Sequence, residues 1–499
     1  MSPINESNEL KTRMTTLMTE HEVKNYIDGR FGASLNGEVF DNINPATGAV
    51  IGSCPRSQLE DADAAVTAAQ SAYTTWSTWS FEQRGAVMER AASLIEQRMD
   101  EFARAETRDT GKPIQISRNV DIPRAIANLR FFASAVRHDE TGCHPMSDAI
   151  NYTLRSSVGV FVLITPWNLP LYLLTWKLAP ALIMGNTVVS KPSELTPTTA
   201  TLLAQVFDEA GLPKGVFNIV HGFGAEIGDP LVSHPGVRGV SFTGGTATGR
   251  AVGQKAIADF KKLSLELGGK NATIVFADAD KETTLSGITR SSFLNQGQIC
   301  LCGSRVFIEK SVFEEYCDGL VERASHMRIG DPMDPATQLG ALSSHAHRDK
   351  VASYCELALE EGGTLRTGGS TPELDDAFSK GAWFQPTVVT GLSTASRCAR
   401  EEIFGPFVTV HPFEDAEEAI AHANAVDYGL SASVWTSNVT KAHRVSAALE
   451  CGMVWVNTWL HRDLRVPFGG IKASGLGHEG GDYSLEFYSE AKNICIYTG

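Results

Sequence analysis

Three short stretches carry side chains that could do covalent acyl chemistry. FLNQGQICLCGSR (293–305) puts Cys300 in a polar, glycine-containing turn behind a helical stretch. A thiol is a strong nucleophile where its surroundings favour the thiolate, and an inert packed group where they do not. LSLELGGKN (263–271), upstream, places Glu266 at the end of an apolar strand. A carboxylate there is either a pocket base or an ion-pair partner of Lys262 or Lys270. TPWNLPLYLLTWK (165–177) sets Asn168 ahead of an apolar, helix-compatible run. An amide in that place caps the helix or donates to an oxyanion.

Residues this far apart need a large scaffold to bring them together. The 499 residues exceed one ordinary core, so two or three domains are expected. Helical patterning covers Gln58 to Ala72 and Phe81 to Glu106. From Val158, short β-branched runs alternate with helices. The strands are 158–165, NTVVSKPS (186–193) ending at a turn, 216–220 and 237–243. The helices are Leu169 to Ile183, Leu195 to Ala210, Glu226 to Val232 and Thr246 to Ile257. A second alternating region runs from Ala272 to about Met453, with strands ATIVF, VFIEK, TVVTG, FVTVHPF and SASVW. Such alternation means βαβ units and parallel sheets. Two α/β domains are predicted, meeting near Leu267-Gly268-Gly269.

Composition removes several function classes. A net charge of −15 argues against a nucleic-acid surface. No apolar run reaches the roughly 20 residues of a membrane span. The first twenty residues read as a polar extension, without the apolar core of a signal peptide. Nine scattered cysteines contain no C-x-x-C pair, which excludes zinc ribbons and thioredoxin-like motifs. No metal site is expected, and a reducing, cytoplasmic setting is.

Taken in order, PWN, KPSE (191–194), FTGGTATG (242–249), ELGGKN, NQGQIC, EEIFGPF (401–407) and PFGGIKASGLG (467–477) are far more specific than any one alone. From about Asn25 to Ile496 the chain resembles the aldehyde dehydrogenase superfamily. The resemblance implies that fold: a Rossmann-like NAD-binding domain (21–139 and 158–267), an α/β catalytic domain (268–480) and a small β oligomerisation arm (140–157 and 481–499). It implies that Cys300 attacks the aldehyde carbon, that Asn168 and the Cys300 backbone N–H hold the oxyanion, and that Glu266 activates the deacylating water. Cys302 is the neighbour expected to be a packed thiol.

For the cofactor, GFGAEIG (222–228) has GxGxxxG spacing and fails the ordinary dinucleotide fingerprint. The resemblance places NAD elsewhere. Thr243, Gly244 and Gly245 open a helix towards the pyrophosphate. Lys191, Ser193 and Glu194 face the adenosine ribose, where Glu194 favours NAD over NADP; Glu194 also reads as a helix-start acid. Thr165, Pro166, Trp167, Gly224 and Leu267 line the same cleft. Glu402 and Phe404 face the nicotinamide ribose and ring.

Arg462 and Arg465 precede PFGG, and Arg118 and Arg124 lie in ISRNVDIPR (116–124). Arginines at a substrate mouth suit a carboxylate, and elsewhere serve surface ion pairs. SRNVDIPR, NLPLYLLTWK, NQGQICLCGSR and W-L-x-R-D-L resemble 2-aminomuconate and 2-hydroxymuconate semialdehyde dehydrogenases. That implies Arg118 and Arg462 on the substrate carboxylate, with Leu169, Tyr172 and Trp176 around it. The product would be a dicarboxylate, in the breakdown of an aromatic ring from tryptophan or a catechol. His461 departs from the aliphatic residue expected there. The alternatives are a broad aliphatic or aromatic aldehyde dehydrogenase, a betaine-aldehyde type, which two arginines disfavour, and an inactive protein that kept the fold. The apolar strand NICIYTG predicts a homodimer or homotetramer through an exposed edge.

Overall fold

The computed structural model describes residues 22–499; the predicted polar extension at 1–20 lies outside the described residues. Two large sheets, a three-stranded sheet and two two-stranded ribbons organise the described residues. The first has eight strands. Five of them, Phe217–Ile219, Thr187–Lys191, Val160–Ile164, Val237–Thr243 and Lys262–Glu266, run parallel in that spatial order. Val160–Ile164 and Thr187–Lys191 are buried at every position, as parallel strands covered on both faces must be. Antiparallel strands close the edges, Asn25–Ile27 followed by Arg30–Gly32 on one side and Gly475–Leu476 on the other. The chain therefore returns to the first sheet near its C-terminus.

The second sheet has seven strands, centred on Ala272–Val275, Arg305–Glu309, Phe407–Phe413 and Ser431–Trp435. It begins just past Gly268-Gly269, where the change of pattern falls in the sequence. In the third sheet, Ser489–Tyr497 pairs antiparallel with all of Ala149–Ser157, and Cys143–Pro145 follows. Residues Gly481–Phe487 form a helix and lie outside that sheet.

Three expected elements differ. The long helix from Phe81 breaks at Arg98 (φ −103, ψ 22) into Phe81–Gln97 and Met99–Thr110. The helix expected from Leu195 starts at Thr198, because Asp109 accepts from the Thr198 N–H at 2.8 Å and Pro197 disfavours helix in the residue before it. Glu194 is thus no helix-start acid. The short helix near Glu226 is a π-turn, Gly224–Gly228, running into Asp229–Ser233.

The helix Pro170–Ile183 is buried on all sides. A helix apolar all round belongs in a core, and Pro170 at its start supplies a preset φ where no N–H is needed. It presents Tyr172, Trp176 and Lys177 to the site described next.

Candidate active site

Cys300 sits in a turn held by backbone strain and by fixed partners. The helix Lys281–Phe293, capped by Asp280, leads into it. Asn295 and Gln296 then adopt left-handed φ values of 52° and 56°. Such conformations persist only where surroundings enforce them. Here Gln296 donates to Ala341 O at 2.9 Å, and Gln298 accepts from Ser343 N at 3.0 Å. Gly297 is left-handed too, and a Cβ there would meet the Gly405 carbonyl at 2.1 Å. Asn271 donates to Cys300 O at 2.7 Å and Cys302 O at 2.9 Å. Trp459 donates to Leu301 O at 3.0 Å, tying the 457–470 loop to the cysteine turn. Cys302 is buried, as expected of a packed thiol.

Burial pushes the Cys300 thiol well above its ordinary pKa, and Glu266 and Glu402 add to the rise while Arg462 opposes it. Burial thus favours the protonated thiol, whose proton has to leave as the sulfur attacks. Glu266 is suited to receive one. It is buried and unpaired: Lys262 turns to Glu490 at 3.4 Å, and Lys270 Nζ has no partner. The ion-pair alternative for Glu266 is thereby removed. Burial raises its pKa well above the carboxylate range, Glu479 raises it further, and Lys177 and Arg462 pull the other way. Glu266 Oε1 lies buried without a hydrogen-bond partner. Behind it, Lys177 Nζ donates to Glu479 at 2.7 Å and Ser241 Oγ at 2.9 Å.

Asn168 is not a helix cap. Leu169 takes the cap position, and Asn168 Nδ2 donates to Gln298 O at 2.9 Å. An amide has two N–H groups, so the second stays available beside the cysteine turn. Thus the structure joins the 168, 266 and 300 segments. Lys177, Glu479 and Asn271 were missed in the sequence. A lysine inside LYLLTWK was the one visible signal, since a cation in an apolar helix must find a buried partner.

The cleft on the first sheet fits a dinucleotide. Gly245 opens the helix Thr246–Ala258, and a Cβ there would meet nothing. Thr243 Oγ1 and Thr246 Oγ1 are buried without partners beside it. Free N–H groups and unpartnered hydroxyls suit a pyrophosphate. Gly244 contributes less than expected, because its N–H is taken by Glu266 O at 3.1 Å. Lys191 pairs with Glu194 at 2.9 Å, and a Cβ at Gly224 would stand 4.0 Å from Lys191 Nζ. Ser193 is buried and accepts from Leu195 N at 3.3 Å. Thr165 N donates to Lys191 O at 3.2 Å, and Pro166 follows it. Leu267 packs into the core below Gly249. On the opposite sheet, Glu402 accepts from Gly269 N at 2.9 Å. Phe404, left-handed at φ 65°, meets Trp167 edge-on at 5.3 Å.

Arginine geometry divides the four candidates. The Arg462 guanidinium lies 4.4 Å from the Trp176 ring and 3.9 Å from the Phe468 ring. Its Nη1 donates to Tyr172 Oη at 3.1 Å, while Nε and Nη2 are buried with no partner. Leu169 is buried in the same core cluster as Tyr172, Trp176 and Phe468. Arg124 stacks 5.5 Å from the Tyr172 ring. Arg118 turns one nitrogen to Asp100 at 2.8 Å and leaves Nε buried and unpartnered. Arg465 is exposed and paired with Asp463 at 2.6 Å, so it takes no part. His461 is exposed and accepts from Trp455 through its backbone carbonyl.

A thiol, a buried carboxyl and a side-chain amide, set between two parallel sheets beside a dinucleotide cleft, define an aldehyde-oxidising site. The aldehyde dehydrogenase family matches residues 33–494, and the chain belongs to it. It is 49% identical over 478 residues to the 2-aminomuconic semialdehyde dehydrogenase of Danio rerio, covering 95% of this chain and 98% of that one. It is 47% identical over 482 residues to the 2-hydroxymuconic semialdehyde dehydrogenase of Pseudomonas sp. strain CF600, covering 95% and 99%. A solved NAD+ complex of the aldehyde dehydrogenase from Bacillus cereus superposes with a TM-score of 0.94 at 38% identity, covering 98% of this chain and 99% of that one.

Proposed function

We propose that the protein oxidises a 2-aminomuconate or 2-hydroxymuconate 6-semialdehyde to the dicarboxylate, using NAD, as one step of aromatic-ring breakdown. The observation that carries the substrate class is Arg462. A buried guanidinium with two unpartnered nitrogens is a costly group to leave unpaired. A substrate carboxylate would satisfy it bidentately. Arg118 Nε would add a second donor, because an exposed pair such as Arg118–Asp100 is weak and easily exchanged. The muconic semialdehyde relatives support the same reading.

The chain's own residues would act as follows. Cys300 Sγ bonds to the aldehyde carbon and its proton passes to a base. The former carbonyl oxygen becomes an oxyanion, held by the free Asn168 N–H and the Cys300 backbone N–H. Such donors contribute about 3 kcal/mol each in related acyl chemistry. Lys191, Glu194, Thr243, Gly245, Glu402 and Phe404 would hold NAD, which would supply the acceptor for the hydride leaving the former aldehyde carbon. Cys300 is left as a thioester. Glu266 draws a proton from water, the hydroxide adds to the thioester carbon, and the C–S bond breaks to release the acid.

The two parallel sheets would then divide the work, cofactor on the first and thiol on the second. The third sheet would serve assembly. Its outer strand Ser489–Tyr497 exposes Ile496 and Tyr497 along an unpaired edge, which favours a homodimer or homotetramer. Nine free thiols favour a cytoplasmic setting.

A steady-state comparison tests the substrate class. Arg462→Ala should weaken kcat/KM for 2-hydroxymuconate 6-semialdehyde at least tenfold more than for a neutral aldehyde such as benzaldehyde. Equal losses on both would contradict it.

A further inference from the structure

Lys112 is a fully buried lysine for which the reaction as described has no use. It follows Gly111, whose left-handed φ of 74° ends the helix Met99–Thr110. The ammonium donates to Asp121 Oδ2 at 2.5 Å and to the backbone carbonyl of Asn168 at 2.7 Å. Glu106 Oε1 stands 4.0 Å away. Asn295 Nδ2 reaches the same Asn168 carbonyl at 3.1 Å, and also Gln298 O at 3.3 Å. The peptide carrying the Asn168 amide is therefore gripped from behind by a buried cation and from the side by the cysteine turn.

We propose that Lys112, held by Asp121, is a positioning residue for the Asn168 oxyanion donor; this rests on the reading of Asn168 given above. Burying two carboxylates and an ammonium is a poor route to stability, since desolvation offsets most of the attraction. What this cluster provides instead is a short, charge-assisted bond to one carbonyl. With its carbonyl fixed and one amide N–H committed to Gln298 O, Asn168 has little freedom left. A misplacement of about 1 Å in such a donor costs on the order of a hundredfold in rate.

A double-mutant cycle on the NAD-loaded enzyme with 2-hydroxymuconate 6-semialdehyde tests this. Lys112→Met should lower kcat/KM about tenfold to a hundredfold, chiefly through kcat, with NAD affinity unchanged. In an Asn168→Ala background the same change should cost less than about threefold, because the donor it positions is gone. Should Lys112→Met fail to fold, Asp121→Asn keeps the ammonium and replaces its carboxylate partner by a neutral group of the same volume, and should show the same non-additivity with a smaller first loss. The proposal is overturned if the full loss recurs in the Asn168→Ala background, or if neither variant affects rate while Asn168→Ala does. If Asn168→Ala leaves the rate unchanged, the oxyanion reading itself fails, and the proposal with it.

Discussion

The cysteine turn and the arginine pocket lie close together but are built on opposite terms. Around Cys300 the donors that set its position are already committed: Asn271 holds two carbonyls, the Gln296 amide N–H holds Ala341 O, Ser343 N–H holds Gln298, and Trp459 is tied to Leu301, while the acceptors Asn295 Oδ1 and Gln296 Oε1 are left unbonded in the turn. Around Arg462, Nε, Nη2 and the nearby Trp176 Nε1 are buried and bonded to nothing. Committed groups fix geometry before substrate arrives, which is what a transition state rewards. Uncommitted buried donors are costly until a ligand answers them, which is what selectivity needs. The turn is built for chemistry and the pocket for choice.

Changes at the turn should therefore reduce turnover for every aldehyde, and changes in the pocket should redistribute it. The largest effect should come from Cys300→Ala, which should lower kcat at least about ten-thousandfold for acidic and neutral aldehydes alike, measured by NADH absorbance. Glu266→Gln should lower kcat about a hundredfold to a thousandfold, again without regard to substrate. The sign of its pH dependence follows from burial. A carboxyl with a raised pKa is a base only in its ionised form, so kcat should climb as pH rises through that pKa. Glu266→Gln should flatten the climb, and a profile that keeps the same rising limb would assign it to another group. Arg462→Gln should cost about tenfold to a hundredfold on the acidic semialdehyde and little on benzaldehyde. Smallest, Glu194→Gln should raise kcat/KM with NADP relative to NAD by about tenfold, since it removes a negative charge facing a 2′-phosphate. An unchanged cofactor ratio would move that discrimination off Glu194.

Much of this was legible in the sequence because its signals are local. VFVLI and TVVSK are buried strands on their face, and Gly268-Gly269 marks the change of sheet. Cys300, Glu266 and Asn168 stand out by type and by surrounding pattern. What stayed hidden depends on partners distant in the chain. Lys177 meets Glu479 across 302 positions, and Lys112 reaches Asn168 across 56. The arginines show the same limit. Arg462 and Arg465 are equivalent on the page, yet one is packed between two rings and the other is spent on Asp463. Asn168 as a helix cap was a sound local reading, overturned because the amide finds Gln298 O instead.

The most direct test of Cys300 as the covalent centre is mass spectrometry of the Glu266→Gln enzyme, acid-quenched during turnover with NAD and 2-hydroxymuconate 6-semialdehyde. With deacylation slowed, the peptide bearing Cys300 should carry the mass of the acyl group as a thioester labile to hydroxylamine. An acyl group mapped to Cys302, or turnover with no acyl group on either cysteine, would contradict the account.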